Sequence, residues 1–284
     1  MLDYEGCMTL SARNDFFRGG IILAALSLCL IAVGGYVASS AYAQAAASAA
    51  MRPGGILQAL LENRAYPSAY VPFFTMLAAV VYSLISIILI YYFFEKTQST
   101  EILFFSFFVI SLSFEFIRLL VPLKTEFYFP AMYLITGSRV LLFARYFGVF
   151  SLFAASVYAA GLDAQKQQST FFILVLSALI IAIQVPIDGI VWDSTFMPWS
   201  GYRAMFAMVE TGILAVTMLT FFISAYTRGS RTYVFIGIGT FLAFTGRHML
   251  INSDTWITPL PGLLALVAGT WLIASRLRRE YLWL

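Results

Sequence analysis

The stretch YVPFFTMLAAVVYSLISIILIYYFF, residues 70–94, contains no charged side chain and only a few polar ones. A helix needs about 20 mostly apolar residues to cross the hydrocarbon core of a bilayer, and this stretch exceeds that length. Its apolar residues do not alternate with polar ones, as they would in a strand of a membrane barrel. The stretch therefore predicts a membrane-spanning α-helix.

Seven further stretches along the chain have the same character. Together with the first they cover Gly20–Tyr42, Tyr70–Phe94, Ile102–Pro122, Ala131–Ala160, Thr170–Trp192, Arg203–Tyr226, Thr232–Ile251 and Ile257–Ser275. The 284-residue chain is 61% hydrophobic and 11% charged, whereas soluble proteins are roughly 45–50% apolar and about 25% charged. The sequence predicts an all-α polytopic transmembrane helix bundle of about eight spans, one N-terminal helix plus a seven-helix core.

The first apolar run has two interpretations. Arg13 and Arg18, the apolar run itself and Ala41-Tyr42-Ala43 are also typical of a secretory signal with a small-residue cleavage site. We favour a retained helix, because the run is long for the apolar part of a signal. The chain then has three parts. Residues 1–43 contain the cytoplasmic N-terminus and the first helix, which is a candidate signal anchor. Residues 44–68 form a short external segment with an amphipathic helix, and residues 69–284 form a seven-helix core with a short cytoplasmic tail.

The positive charges in the loops predict the orientation, since Lys and Arg accumulate in short cytoplasmic loops. With both termini inside, nine of them face the cytoplasm: Arg13, Arg18, Lys96, Lys166, Arg228, Arg231, Arg276, Arg278 and Arg279. Four face outward: Arg52, Arg64, Lys124 and Arg203. The chain is therefore expected to lie in a membrane, taken as a bacterial inner membrane, with both termini in the cytoplasm.

Several chemistries are disfavoured by composition. The net charge of +3 is spread over short loops, which argues against nucleic acid as a partner. Lysines occur only at 96, 124 and 166, near loops, so no span offers a lysine for a retinal Schiff base. The single histidine, His248, cannot support bis-histidine haem ligation or a histidine-based metal site. Hydrolase motifs are absent, so we expect no catalytic residue, no metal and no cofactor.

Ionisable residues inside spans are costly, and by default they mark function or internal pairing. At about 1.5 Å per residue from the presumed outer ends, Glu115, Arg139 and Glu210 lie roughly 10–12 Å deep on three different helices. Arg118 follows Glu115 by three residues, and Arg145 lies deeper, near mid-membrane. The other candidates lie nearer the outer surface: Asp188, Arg247 and His248. Because five helices contribute charges at similar depth, we expect these residues to line one site, with Arg145 either forming its deeper floor or facing another helix.

Two interpretations of this group carry equal weight. In one, an outward-open polar cavity uses its arginines to bind an anionic or carboxylate-bearing ligand, since the guanidinium group is a planar fork of donors. In the other, the charges form a closed structural network of ion pairs that ties the helices together. That network would pair the acidic residues Glu115, Asp188 and Glu210 with the basic residues Arg118, Arg139 and Arg247.

Proline and glycine mark two further features of the spans. Gln184, Pro186, Asp188 and Gly189 interrupt the fifth run, which predicts either a kink or a broken helix lining the cavity. On the seventh run, the small residues favour close helix packing. Those residues are Gly237, Gly239 and Gly246.

The part from Tyr70 onward resembles the membrane region of the bacterial seven-transmembrane receptors that carry diverse intracellular signalling modules. The likeness lies in the helix end Tyr91-Tyr92-Phe93-Phe94, the charged turn Glu95-Lys96, and a following helix with Glu115 and Arg118. That family typically has a folded extracellular domain before the helices and an enzymatic module after them, and this chain departs on both points. The resemblance implies a receptor whose output passes to a separate protein.

Our first hypothesis is a receptor-like or regulatory membrane protein rather than an enzyme. It would lie in the lipid bilayer, bind a small anionic ligand or lipid in an outward-facing cavity, and act through a cytoplasmic or membrane protein partner. The first alternative is a transporter or lipid-handling protein that uses the same charges for translocation. The second is a non-catalytic membrane subunit of a larger complex, in which the charges are structural.

Overall fold

The structure is a computed structural model that describes residues 10–37, 70–95, 97 and 99–282. Within these ranges, eight helices are long and apolar enough to cross a membrane: Leu10–Val37, Tyr70–Phe94, Thr100–Lys124, Ala131–Ala159, Ala164–Gln184, Ala204–Thr227, Thr232–Ile251 and Pro259–Arg279. The prediction of an all-α polytopic bundle is confirmed, and the protein is an integral membrane protein. The short external helix expected within 44–68 lies outside the described residues.

The elements are as follows in chain order. The helices are α1 (Leu10–Val37), α2 (Tyr70–Phe94), α3 (Thr100–Ser111), α4 (Leu120–Phe127), α5 (Ala131–Ala159), α6 (Gln167–Gln184), α7 (Arg203–Thr227), α8 (Thr232–Ile251) and α9 (Pro259–Leu282). Two 3₁₀ segments, Leu112–Leu119 and Ala164–Lys166, and two strands, β1 (Ile187–Trp192) and β2 (Pro198–Ser200), complete the described part. The third span consists of α3, the longer 3₁₀ segment and α4.

The third span forms the centre of the bundle and is the most buried of the eight. Its phenylalanines fill the core, and Phe104, Phe105 and Phe108 are almost wholly inaccessible to solvent. Phe104 stacks on Tyr158 of α5 with ring centroids 5.1 Å apart. A charged group on this span is therefore surrounded by protein and must find its partners there.

The 3₁₀ segment Leu112–Leu119 carries two of the predicted site residues. A 3₁₀ helix has three residues per turn, so side chains three positions apart lie directly above one another. Glu115 and Arg118 consequently point to the same side, and Arg118 Nη1 lies 3.6 Å from Glu115 Oε2. The local helix geometry thus forms the first contact of a charge cluster.

The first span begins ten residues earlier than its apolar run, at Leu10 rather than Gly20. The early start is possible because Arg13 is buried against the end of α2. Its Nη2 donates to the carbonyl oxygens of Phe94, at 2.9 Å, and of Glu95, at 2.8 Å. These contacts fasten α1 to the core, and retention of this helix in the mature protein stays a prediction.

The fifth span is shorter than its apolar run, which corrects the expected range Thr170–Trp192. Helix α6 ends at Gln184, and Val185 takes an extended conformation with φ −66° and ψ 120°. The cause is Pro186, which has no N–H to donate and whose ring disfavours the helical conformation of the preceding residue. The helix therefore ends there, and neither a kinked helix nor a helix resumed after a break follows.

The chain beyond α6 forms an antiparallel β-hairpin, residues 187–200, in which Ile187 lies opposite Ser200. The turn of this hairpin is closed by Asp193. Its Oδ1 accepts hydrogen bonds from Thr195 N at 3.1 Å, Thr195 Oγ1 at 2.6 Å and Met197 N at 3.1 Å. The hairpin covers one end of the bundle, since β1 packs against α5.

Helices α8 and α9 pack at close range because glycines meet backbone across their interface. A Cβ atom added to Gly246 would collide with backbone atoms of Gly262 and Leu266, and one added to Gly239 would collide with Gly269 O. The prediction of glycine-mediated packing is therefore right for Gly239 and Gly246. The third predicted glycine, Gly237, faces the Phe221 side chain of α7 instead.

Candidate functional site

A cavity of about 240 Å³ lies between α5, α7, α8 and the hairpin. Its walls combine aromatic side chains with a group of charged ones. The principal lining residues are Arg145, Tyr146, Asp193, Thr195, Met197, Phe206, Glu210, Phe244, Arg247 and His248. The volume is below the roughly 300–1,000 Å³ of pockets for drug-sized ligands, so the cavity suits a small molecule.

A buried ion pair adjoins the cavity through Arg145. Arg145 Nε lies 2.8 Å from Glu115 Oε1 and Arg145 Nη2 lies 2.7 Å from Glu115 Oε2, a bidentate arrangement. Glu115 is 1% exposed, and the pair joins the third span to α5. Charge-assisted bidentate pairs of this kind are short, strong and geometrically specific.

Arg118 connects the ion pair to the hairpin. Its side chain is 2% exposed, and both Nε, at 2.9 Å, and Nη2 donate to the carbonyl oxygen of Thr195. Its Nη1 donates to Thr75 Oγ1 at 3.5 Å. One buried guanidinium therefore holds the turn of the hairpin onto the third span and α2.

Arg247 lies on the α8 wall and is 5% exposed. Its Nη2 donates to the backbone oxygen of Arg145 at 2.9 Å, and its guanidinium carbon stands 5.8 Å from the centroid of the Phe108 ring. Within the part of the chain that the structure describes, its buried Nη1 has no hydrogen-bond partner. Buried donors are almost always paired, and the other buried side-chain donors without a partner in the described ranges are Nε and Nη1 of Arg13.

Glu210 lines the α7 wall of the same cavity and is half-buried. With the residues placed in the structure it makes no hydrogen bond and no ion pair at contact distance, although Arg145 and Arg247 lie near enough to attract it electrostatically. His248 lies at the exposed rim, where its Nδ1 accepts a hydrogen bond from Asn252 Nδ2 at 3.2 Å. The cavity thus presents opposite charges on two of its walls.

Two predicted site residues lie elsewhere. Arg139 was expected to point into the bundle at the level of Glu115, but its side chain is exposed on the outer surface of α5. At about 100° per residue it lies roughly 120° around the helix from Arg145, so only one of the two can face inward. Asp188 is also exposed, because α6 ends before it and places it in strand β1.

The remaining six candidates are brought together, in two connected groups. Glu115, Arg118 and Arg145 form the ion-pair cluster, and Arg145 also lines the cavity together with Glu210, Arg247 and His248. The described part of the chain therefore contains an ion-pair cluster and an adjoining cavity, which share Arg145.

Sequence reasoning missed the hairpin residues of the site. Asp193 and Thr195 follow the apolar run that was predicted to end at Trp192 and were not named as candidates, yet both line the cavity. A signal was present, since Asp193-Ser194-Thr195 after Pro186 is a turn-forming sequence whose side chains bond to nearby backbone.

No group of three or more His, Cys, Asp or Glu side chains among the described residues is arranged to hold a metal ion. The chain matches no protein-family model, no curated protein and no solved structure.

Proposed function

We propose that the protein is a receptor-like or regulatory membrane protein whose cavity binds a small anionic or carboxylate-bearing ligand. Arg247 carries the proposal. It is a buried guanidinium on a cavity wall, already oriented by its bond to the Arg145 backbone, with one nitrogen that lacks a partner among the described residues. A carboxylate or a phosphate oxygen would satisfy that nitrogen through a charge-assisted hydrogen bond.

The neighbouring ion pair supports a binding role for Arg247 rather than a structural one. Glu115 is already paired with Arg145 and Arg118, so the ion pairing of the third span does not depend on Arg247. The aromatic lining of Phe206 and Phe244 would bury the apolar part of the ligand. In the proposed orientation, with both termini in the cytoplasm, the hairpin end of the bundle faces outward and ligand binding is relayed to a protein partner.

The proposal predicts that small carboxylates bind the purified protein saturably and that Arg247→Gln weakens this binding by about tenfold or more. A hydrogen bond to a charged group contributes about 1.5–3 kcal/mol, and 1.4 kcal/mol is a factor of ten in affinity. Isothermal titration with propionate, succinate and benzoate measures the effect on protein in lipid nanodiscs. Circular dichroism and size-exclusion profiles establish that each variant is folded.

Arg139→Gln is the matched control, since it removes the same charge from the exposed face of α5. It should bind the carboxylates as tightly as the wild type. Binding of neither these carboxylates nor carboxylate-bearing amino acids, or equal losses in the two variants, would contradict the proposal. A counter-flux assay in liposomes distinguishes a receptor, which should bind without moving the probe, from the transporter alternative.

A further inference from the structure

Besides Arg247 Nη1, the cavity contains a second polar group that has no hydrogen-bond partner among the described residues. Glu210 extends from α7 into the cavity, and no hydrogen bond or ion pair reaches its carboxylate from the described residues. A half-buried carboxylate beside aromatic side chains loses much of its hydration, and the attraction of Arg145 and Arg247 to Glu210 is not accompanied by a hydrogen bond from either. The α7 wall of the cavity thus carries a carboxylate that a ligand with hydrogen-bond donors would satisfy.

The other charged groups around the cavity are already engaged. Arg145 is held by both oxygens of Glu115. Asp193 closes the turn of the hairpin through three hydrogen bonds. None of these groups can turn toward Glu210 or Arg247 without breaking a contact that maintains the fold. The two groups left to face a ligand are therefore one cation and one anion.

The formal charges of the whole cluster cancel, with three arginines and three carboxylates. They are Arg118, Arg145, Arg247, Glu115, Asp193 and Glu210. A ligand that brings only a negative charge would leave this buried cluster with an uncompensated charge, which is costly in a low-dielectric surrounding. A ligand that carries one charge of each sign would keep the cluster neutral and pair both walls.

We propose that the ligand is a small zwitterion, an amino-acid-like molecule whose carboxylate binds Arg247 and whose ammonium group binds Glu210. This inference rests on the proposed function and specifies its ligand class. The ammonium group would supply the donors that Glu210 lacks, and the carboxylate would accept from Arg247 Nη1. The cavity of about 240 Å³ limits the body between the two groups to a few carbon atoms.

The test compares zwitterions with molecules of the same skeleton that lack one charge. Wild-type protein in nanodiscs is titrated with alanine, β-alanine and γ-aminobutyrate, with propionate and butyrate as carboxylates, and with propylamine as the amine. At least one zwitterion should bind about tenfold or more tightly than its matched carboxylate. Glu210→Gln should abolish that difference, whereas Glu126→Gln, an exposed carboxylate outside the cavity, should preserve it.

The outcomes of this test distinguish failure of the zwitterion inference from failure of the proposed function. If propionate and butyrate bind as tightly as the amino acids, or if Glu210→Gln keeps the preference for zwitterions, the cavity binds carboxylates and the zwitterion inference is wrong. If no probe of either class binds the wild type, the proposed function fails and the inference fails with it. Tight binding of propylamine alone would also overturn both, because Arg247 would then have no part in recognition.

Discussion

Replacing Glu115 with glutamine is expected to lower the free energy of unfolding by about 3–5 kcal/mol, the cost of removing one member of a well-buried ion pair. The change removes the carboxylate that binds Arg145 in a bidentate manner and lies 3.6 Å from Arg118. Both arginines would then keep their charge in the centre of the bundle without an anionic partner. A glutamine of similar shape cannot compensate them, so the loss reports charge rather than packing.

Reversible unfolding in mixed micelles measures this change. The matched control is Glu126→Gln, an exposed carboxylate on α4, which should alter stability by less than about 1 kcal/mol. The double variant Glu115→Gln with Arg145→Gln should recover part of the loss, because removal of both charges relieves the unpaired one. If Glu115→Gln matches Glu126→Gln, or the double variant loses the sum of the single effects, the ion pair is not stabilising.

Replacing Arg118 with methionine should release the hairpin from the bundle. The wild-type guanidinium donates twice to the Thr195 carbonyl, and each bond to a charged group contributes about 1.5–3 kcal/mol. The loss of both should ease local opening by about 3 kcal/mol, which corresponds to a roughly 100-fold faster amide exchange. Hydrogen exchange followed by mass spectrometry on peptides that contain Asp193 and Met197, whose N–H groups bond within the turn, reads this directly.

The control for that experiment is Arg139→Met, which removes an arginine from the same end of the bundle without touching the hairpin. Exchange in the turn should then stay at the wild-type rate. Equal acceleration in the two variants would show that general loosening, and not the Arg118 bond, opens the hairpin. Unchanged exchange in Arg118→Met would contradict its role as the anchor.

The number and type of the spans could be predicted from sequence because runs such as Tyr70–Phe94 have no alternative to a membrane helix. The ends of the spans depended on tertiary contacts. The start of α1 at Leu10 requires carbonyl partners for Arg13 that lie far away in sequence. Pro186 indicated the end of α6 at Gln184, but the residues that follow it are largely apolar and were assigned to the span, so the hairpin was not predicted.

The proximity of Arg118 to Glu115 could be predicted from their spacing. The main partner of Glu115 could not, because Glu115 was expected at the level of Arg139, whereas it pairs with Arg145, which lies on the same helix as Arg139. The depth of a residue in the membrane follows from its position along the helix, whereas the direction of its side chain can be predicted only where the helix has a polar face. Helix α5 is apolar on nearly every side. The 3₁₀ geometry that aligns Glu115 with Arg118, and the hairpin that closes the cavity, depend on packing that no local pattern expresses.

The most direct measurement is a density map of the purified protein, at a resolution that shows side chains, with the tightest-binding probe present. We expect density in the cavity that contacts Arg247 Nη1 on one side and the Glu210 carboxylate on the other, with the Glu115–Arg145 pair intact. A map in which Glu210 turns onto Arg247 as a direct ion pair, with no ligand density between α5, α7 and α8, would contradict the proposed ligand site.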